Sequence, residues 1–549
     1  MGNNRRKRFG LHYQVSTPKK NPPKTKPKDV KGEPHTDNPL IRLYLKLEEL
    51  YQDYKAAELD IQSLINSLEA RCAHVLMKQA DFDRCIGPLL GQVPHNVLAL
   101  RNAILNELDH RISEARKALS KYAQEERLKR SQKIQFVLRQ KKDIEKTIKL
   151  LEATVETFVM NQKTILGLLP LDNTGIDREL DRLKLGADRA FREAKRVGPF
   201  TSKRQVMLEP SVVTAYKTQD ILYSSGAKRA WNPQDPMSLC IIDSDASIPA
   251  EGMALQYAQE LALKLHSGSA EEFGLLPYKG VIRRPKTITD GEGRRTITMI
   301  FKFPQRHDTV NSLRGLLLQA QGSLVQTHQG RLDRLAMAKH LVKAVFSVHL
   351  YDFVHKNIRP ETWMCFGTVA DGRLPKNAFL IGFEVLRGAK DHSDKGQTLW
   401  AQEAANLYQH PRRQREDLND SDLYHMQHDI YSLGVCLLEI GLWTSFVKYD
   451  NRGASVAENL RLSNGRMPTP DAIKDHLMRL AASQLAYEMG EGYSEVVRMC
   501  LTCLDGGKGW PTEDDYLANP DVEAVVIRSS YTRDVLAKIN NIMDEDMRE

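Results

Sequence analysis

Apolar residues recur at alternating steps of four and three from Leu43 through Leu47, Leu50, Tyr54, Ala57, Ile61, Leu64 and Leu68, and on to Cys72 and Val75. That spacing returns each one to the same side of a helix, so it predicts one long helix with a single apolar stripe. Gly87-Pro88 and Val93-Pro94 interrupt the pattern, because glycine admits turn geometry and proline removes a backbone donor. The periodicity resumes at Ile104, Leu108, Ile112, Ala115 and Leu119. A third stripe runs Ile134, Val137, Ile144, Ile148, Leu151, Val155, Phe158 and Ile165, and Gly167 and Pro170 stop it. Residues 38–170 therefore read as an all-α helical bundle or coiled coil. The break near 87–94 lets two helices fold against one another and cover their seams, the commoner fate of such faces. Self-association or membrane contact through those faces is the alternative.

Residues 171–203 are charged, carry Gly175, Gly186 and Gly198-Pro199, and keep a weaker helical signal, so they read as a linker or brace. From residue 204 the texture changes. Strand-like runs at 238–242 and 296–303 enclose a helical run at 253–265, which predicts a small α+β lobe over about 204–308. A large, mostly helical lobe over about 309–549 contains an amphipathic segment from Leu332 to Leu350. The expected fold class is α+β, preceded by the all-α region.

Composition sharpens this division. The chain has 549 residues, which implies several domains. No apolar run reaches the roughly 18 to 20 residues of a spanning helix, and the N-terminus has no signal core. Seven scattered cysteines do not make a disulfide scaffold. These features predict an intracellular protein, cytoplasmic or nuclear. Much of the net charge of +9 sits in residues 1–37, in Arg5-Arg6-Lys7-Arg8 and in Lys19, Lys20, Lys24, Lys26 and Lys28. That segment reads as a basic disordered tail, either a solvated terminus or one drawn to anionic membrane or nucleic acid. Met1-Gly2 lacks the hydroxyl residue that myristoylation wants, since Arg6 stands there.

The chemistry concentrates after Leu350. His355-Lys356-Asn357-Ile358-Arg359-Pro360-Glu361-Thr362 fits the frame H-R-D-x-K-P-x-N that protein kinases carry after a helix of this kind. Asn357 stands at the position of the base, and an amide has no useful basicity near neutral pH. Thr362 stands where an asparagine helps hold magnesium, and a lone hydroxyl is a poor substitute. Arg359 keeps the charge of the lysine with different donor geometry. Gly382-Phe383-Glu384 occupies the D-F-G position, with glycine in place of the metal-binding aspartate and Glu384 displaced from it. His355 and Phe383 are expected to pack.

Upstream, Tyr223-Ser224-Ser225-Gly226 is no full glycine-rich loop, and Asp243 falls where the third-strand lysine would stand. Downstream, His410-Pro411-Arg412 resembles A-P-E with arginine for glutamate, and Asp429 opens a run to Ile440 similar to the kinase helix whose aspartate braces the catalytic loop. Ser393 and Thr398, in the intervening segment, are candidate phosphorylation sites near Arg412 and Arg413. Cys500-x-x-Cys503 lies in an apolar run without a second pair and reads as core. His410, His425 and His428 lack the spaced acids or cysteines of a metal set.

Together these motifs resemble the degenerate kinase-like (pseudokinase) domains of filamentous fungi, over roughly the last three hundred residues. In that family the domain often follows a helical bundle of the HeLo or HeLo-like kind, which residues 38–170 resemble in architecture. The resemblance implies a non-catalytic switch or scaffold in incompatibility or cell-death signalling, similar to the mixed-lineage kinase-like pseudokinase of necroptosis, with other signalling proteins as partners. It implies no catalytic residue and no certain cofactor, and leaves ATP with magnesium open as ligands. Two other readings stand beside it: an atypical ATP-binding kinase using Glu384 for metal, and an oligomeric scaffold whose basic tail docks on anions.

Overall fold

A computed structural model describes residues 76–542 except 78, 124–129, 198–205, 244–251, 267–272, 285–295, 305–306, 308, 320–325, 368–372, 384–386, 389–401, 415–423, 452, 507–508, 513–514 and 516–522; before 76 it describes only 70 and 73. The basic tail, most of the first predicted helix, Glu384, Ser393 and Thr398 lie outside the described residues.

The second and third apolar stripes form α1 (His95–Ala123) and α2 (Arg130–Leu168). They pack along one another and bury Ile104, Leu108 and Ile112 on one helix and Ile144, Leu151 and Phe158 on the other. The expected break is a 3-10 helix, Gly87–Gln92, with proline in its first turn, where a missing N–H costs nothing.

The charged stretch that follows holds two helices, α3 (Thr174–Arg182) and α4 (Gly186–Arg196). Asn173 caps α3 by accepting the N–H of Gly175. Asp177 ties the pair together, pairing with Arg192 at 3.1 Å and with Arg196. Phe191 of α4 meets Tyr351 with ring centroids 5.7 Å apart.

The α+β part begins with a six-stranded sheet. Its strands are β1 (Met207–Leu208), β2 (Lys217–Asp220), β3 (Ala227–Asn232), β4 (Asp235–Asp243), β5 (Tyr278–Arg284) and β6 (Thr296–Lys302), in the order β1-β5-β6-β4-β3-β2. β1 pairs with β5 in parallel, and every other neighbour is antiparallel. Helix α5 (Gly252–His266) crosses between β4 and β5, and buries Leu255, Ala258, Leu261 and Leu265 at helical spacing.

Beyond the sheet come β7 (Val310–Ser312), α6 (Leu313–Leu318) and α7 (His328–Leu350). Then follow β8 (Phe353–Val354), β9 (Trp363–Phe366), β10 (Asn377–Leu380) and β11 (Arg387–Gly388). Strands β10, β9 and β7 make one small sheet, and β11 pairs with β8. Helix α8 (Met426–Leu442) is buried on every side, as a mostly apolar helix whose few polar residues are hydrogen-bonded can be. A hairpin of β12 (Val447–Asp450) and β13 (Gly453–Val456), α9 (Pro470–Leu480) and α10 (Glu491–Thr502) follow, and the run 523–541 closes with α11 (Ala537–Asn541). α2 packs against α11, so the helical region leans on the end of the chain. One core cluster runs from Phe82 to Ile542. Among the described residues no helix is long and apolar enough to cross a membrane.

Candidate functional site

Helix α7 ends at Leu350, and the chain turns sharply through Asp352 and Lys356, both at positive φ (64° and 65°). Backbone in that region costs on the order of 1–3 kcal/mol for a residue other than glycine, so something must hold it. The carboxylate of Asp429, in the first turn of α8, is what holds Lys356. It accepts the backbone N–H of His355 at 2.7 Å and of Lys356 at 2.9 Å, the Tyr424 hydroxyl at 3.0 Å, and His349 Nε2 at 3.1 Å. Asp429 is fully buried. Burial, the largest single influence, would raise its pKa, but the hydrogen bond and charge of His349 together with the charge and backbone N–H of His355 outweigh it and keep the carboxyl below the usual range.

His355 is equally enclosed. Its Nδ1 accepts the N–H of Asn357 at 3.3 Å, so its Nε2, 3.1 Å from the Ile381 carbonyl, carries the proton and donates. Burial lowers its pKa to about 4, which fixes the neutral form. Its ring lies 4.8 Å from that of Phe383, Phe383 lies 6.1 Å from Phe301, and Phe301 lies 5.2 Å from Tyr278. An aromatic column thus runs from the loop into the six-stranded sheet, and the packing roles expected of His355 and Phe383 hold.

Several of the motif positions converge on Gly382. Asn357 Nδ2 donates to the Gly382 carbonyl at 3.3 Å. The Gly382 N–H donates to Asp243 Oδ2, at the end of β4, at 2.9 Å. Thr362 Oγ1 sits 3.0 Å from the Asn357 carbonyl and 2.9 Å from that of Arg359, and so serves the backbone of its own loop. Gly382 has φ +85°, and a Cβ there would come within 2.5 Å of Thr362 Cγ2. No larger residue fits that position as the loop now stands. Arg359 is buried, with its N–H 3.4 Å from Thr362 Oγ1.

Below this loop lies a charged cluster that motif reading passed over. Arg314 of α6 is fully buried and donates to Glu361 and Glu439 at 2.7 Å each, to Ser445 at 2.7 Å, and to the Tyr408 hydroxyl. Tyr408 in turn donates to Glu439 at 2.8 Å, and Tyr449 to Glu361 at 2.9 Å. Burial opposes the guanidinium charge, and the two carboxylates overcome it and hold Arg314 protonated. Burial also lifts Glu439 above the ordinary carboxyl range, against the pull of Arg314. Glu361 and Glu439 sat inside the two clearest motifs, but nothing local marks Arg314 as their partner.

Cys500 and Cys503 are buried thiols, and Cys503 Sγ lies 3.3 Å from the Gln427 carbonyl, which confirms them as core. His410, His425 and His428 are buried too, with His425 and His428 stacked at 5.8 Å. Among the described residues no group of three or more histidines, cysteines and acids could hold a metal ion. No protein-family model matches the chain, and no curated protein matches it.

Proposed function

We propose that residues 204–549 are a protein-kinase-like domain that has given up phosphoryl transfer and works as a signalling switch or scaffold. The strand order β5-β6-β4-β3-β2 with α5 inserted after β4 supports the small lobe of this reading. The Asp429 carboxylate gripping the amides of the 355–356 turn supports the large lobe.

One observation carries the loss of chemistry. Phosphoryl transfer needs a base, a metal pair and a lysine aimed at the phosphates. At the corresponding places Asn357, Gly382 and Asp243 are bonded to one another in a chain, and Asp243 puts negative charge where a cation would meet phosphate. The contact by which a lysine would steady the phosphates is therefore missing from this reading of the site.

The helical region is then an arm seated on the kinase-like domain, with other signalling proteins as its partners. The likeness to fungal domains that follow HeLo-type bundles extends the proposal to incompatibility or cell-death signalling. In support, α2 reaches the large lobe through Glu156, which pairs with Lys343 of α7 at 2.5 Å.

The test is transfer of label from γ-labelled ATP by the full chain, with magnesium or manganese. No transfer above background is expected. Transfer that is abolished by Glu384→Gln would overturn the proposal in favour of the atypical kinase.

A further inference from the structure

The turn between β2 and β3 does not stand over an open cleft. The backbone N–H of Ser225 donates to the carbonyl of Glu361 at 3.0 Å, a direct bond between the sheet and the loop that follows α7. Next to it the Ser312 hydroxyl donates to the Leu222 carbonyl at 2.6 Å. The Tyr223 ring meets the Tyr449 ring at 4.9 Å. Three contacts from three elements of the large lobe thus seat one short turn.

The turn is not at rest locally. Tyr223 has φ +55°, a region that β-carbon sterics make unfavourable for any residue but glycine. Leu222 and Tyr223 are 73% and 41% exposed, whereas Ser225 is 7% exposed. Hydrogen bonds of its own, from Ser224 N–H to the Ile221 carbonyl at 3.2 Å and from Ile221 N–H to the Ala227 carbonyl at 3.1 Å, shape the turn, and the three contacts hold it against the large lobe.

We propose that residues 221–226 are a built-in lid that closes the cleft by itself, so the two lobes are locked together without any nucleotide. The inference rests on the kinase-like reading above, in which this turn would cover the phosphates. A bond from backbone to backbone at 3.0 Å leaves no layer between lid and loop for a phosphate chain. The closed form is thus a property of the chain, and whatever lifts the lid frees the small lobe to move. Asp243 reinforces the closure from inside, since it bridges β4 to Gly382 across the same cleft.

The experiment is amide hydrogen exchange on the full chain, wild type and Tyr223→Ala, with and without millimolar ATP and magnesium, alongside the transfer assay. In the wild type the Ser225 amide is expected to exchange as slowly as amides of β3, with ATP making no difference. In Tyr223→Ala it is expected to exchange at least about tenfold faster, while amides of α8 stay protected and so report an intact fold. A wild-type Ser225 amide that exchanges like an exposed loop overturns the lid, and so does protection gained only on adding ATP. Neither result touches the non-catalytic reading, which falls only if label is transferred.

Discussion

Arg314 and Glu361 form an ion pair at 2.7 Å with both side chains wholly shielded from water. Glu439 completes it from the other side at 2.7 Å. Removing the cation leaves two carboxylates buried side by side, and breaking such pairs from one side costs about 3–5 kcal/mol. Arg314→Met is therefore expected to lose stability on that scale in urea unfolding. A loss below about 1 kcal/mol would mean the cluster is open to water.

On the kinase-like reading proposed above, Gly382 is the position where an aspartate would be restored. Its φ of +85° and the nearness of Thr362 Cγ2 make the restoration strained, at on the order of 3 kcal/mol once the clash is added to the backbone cost. Gly382→Asp should lower the melting temperature and produce no phosphotransfer, even together with Asn357→Asp. Transfer by the double variant would show that the loop rearranges freely.

Acid should loosen the fold through its enclosed histidines. His355 is held neutral, with its pKa lowered to about 4 from 6.5, and burial pushes His428 well below its ordinary value. Below pH 6.5 the unfolded chain takes up these protons and the folded one does not, so the stability these histidines contribute falls as pH drops from 6.5 toward 4, while the raised carboxyl of Glu439 acts in the opposite sense. The lowered carboxyl of Asp429 acts at lower pH, below its ordinary value near 4, so it leaves this window untouched. Melting temperatures at pH 7.5, 6 and 5 should decline in order, and the slope should be shallower in His355→Phe.

Gly434, in the middle of α8, lets α10 come close. A Cβ there would stand 2.7 Å from Cys500 Cβ and 3.3 Å from the Leu501 backbone nitrogen. Neither neighbour is the end of a flexible side chain. Gly434→Ala should cost about 1–3 kcal/mol in spite of alanine's better helix propensity, and a stabilised variant would contradict this packing.

Much of the layout was legible because it is periodic. The 3.5-residue recurrence located α1 and α2, and the apolar runs at 238–242 and 296–303 located β4 and β6 within a residue or two at most ends. Strand β5 escaped, since Tyr278-Lys279-Gly280-Val281 mixes polar and small residues with apolar ones. There Gly280 is small because Leu208 of β1 crosses it, a contact only the fold reveals. At the site, the motif frame named Asn357, Thr362, Gly382 and Asp429, whose spacing is local. Two facts could not be read in advance: Asp243 reaches Gly382, and Arg314 answers two glutamates. Both join residues far apart in sequence, and no local pattern records such a meeting.

The brace ends in Lys195, which donates to the Leu350 carbonyl at 3.0 Å and pairs with Asp352, and Asp352 is also gripped by Arg528. Lys195 is buried, and desolvation brings its pKa down to about 8, with the carboxylate of Asp352 holding it up against the burial and the Arg528 charge. Because Arg528 follows Lys195 and Asp352 in the sequence, a ribosome delivers the lysine long before the last member of this trio. Contacts of such wide separation form late and slowly. The turn on which the brace rests is fully clamped only once that arginine has been made.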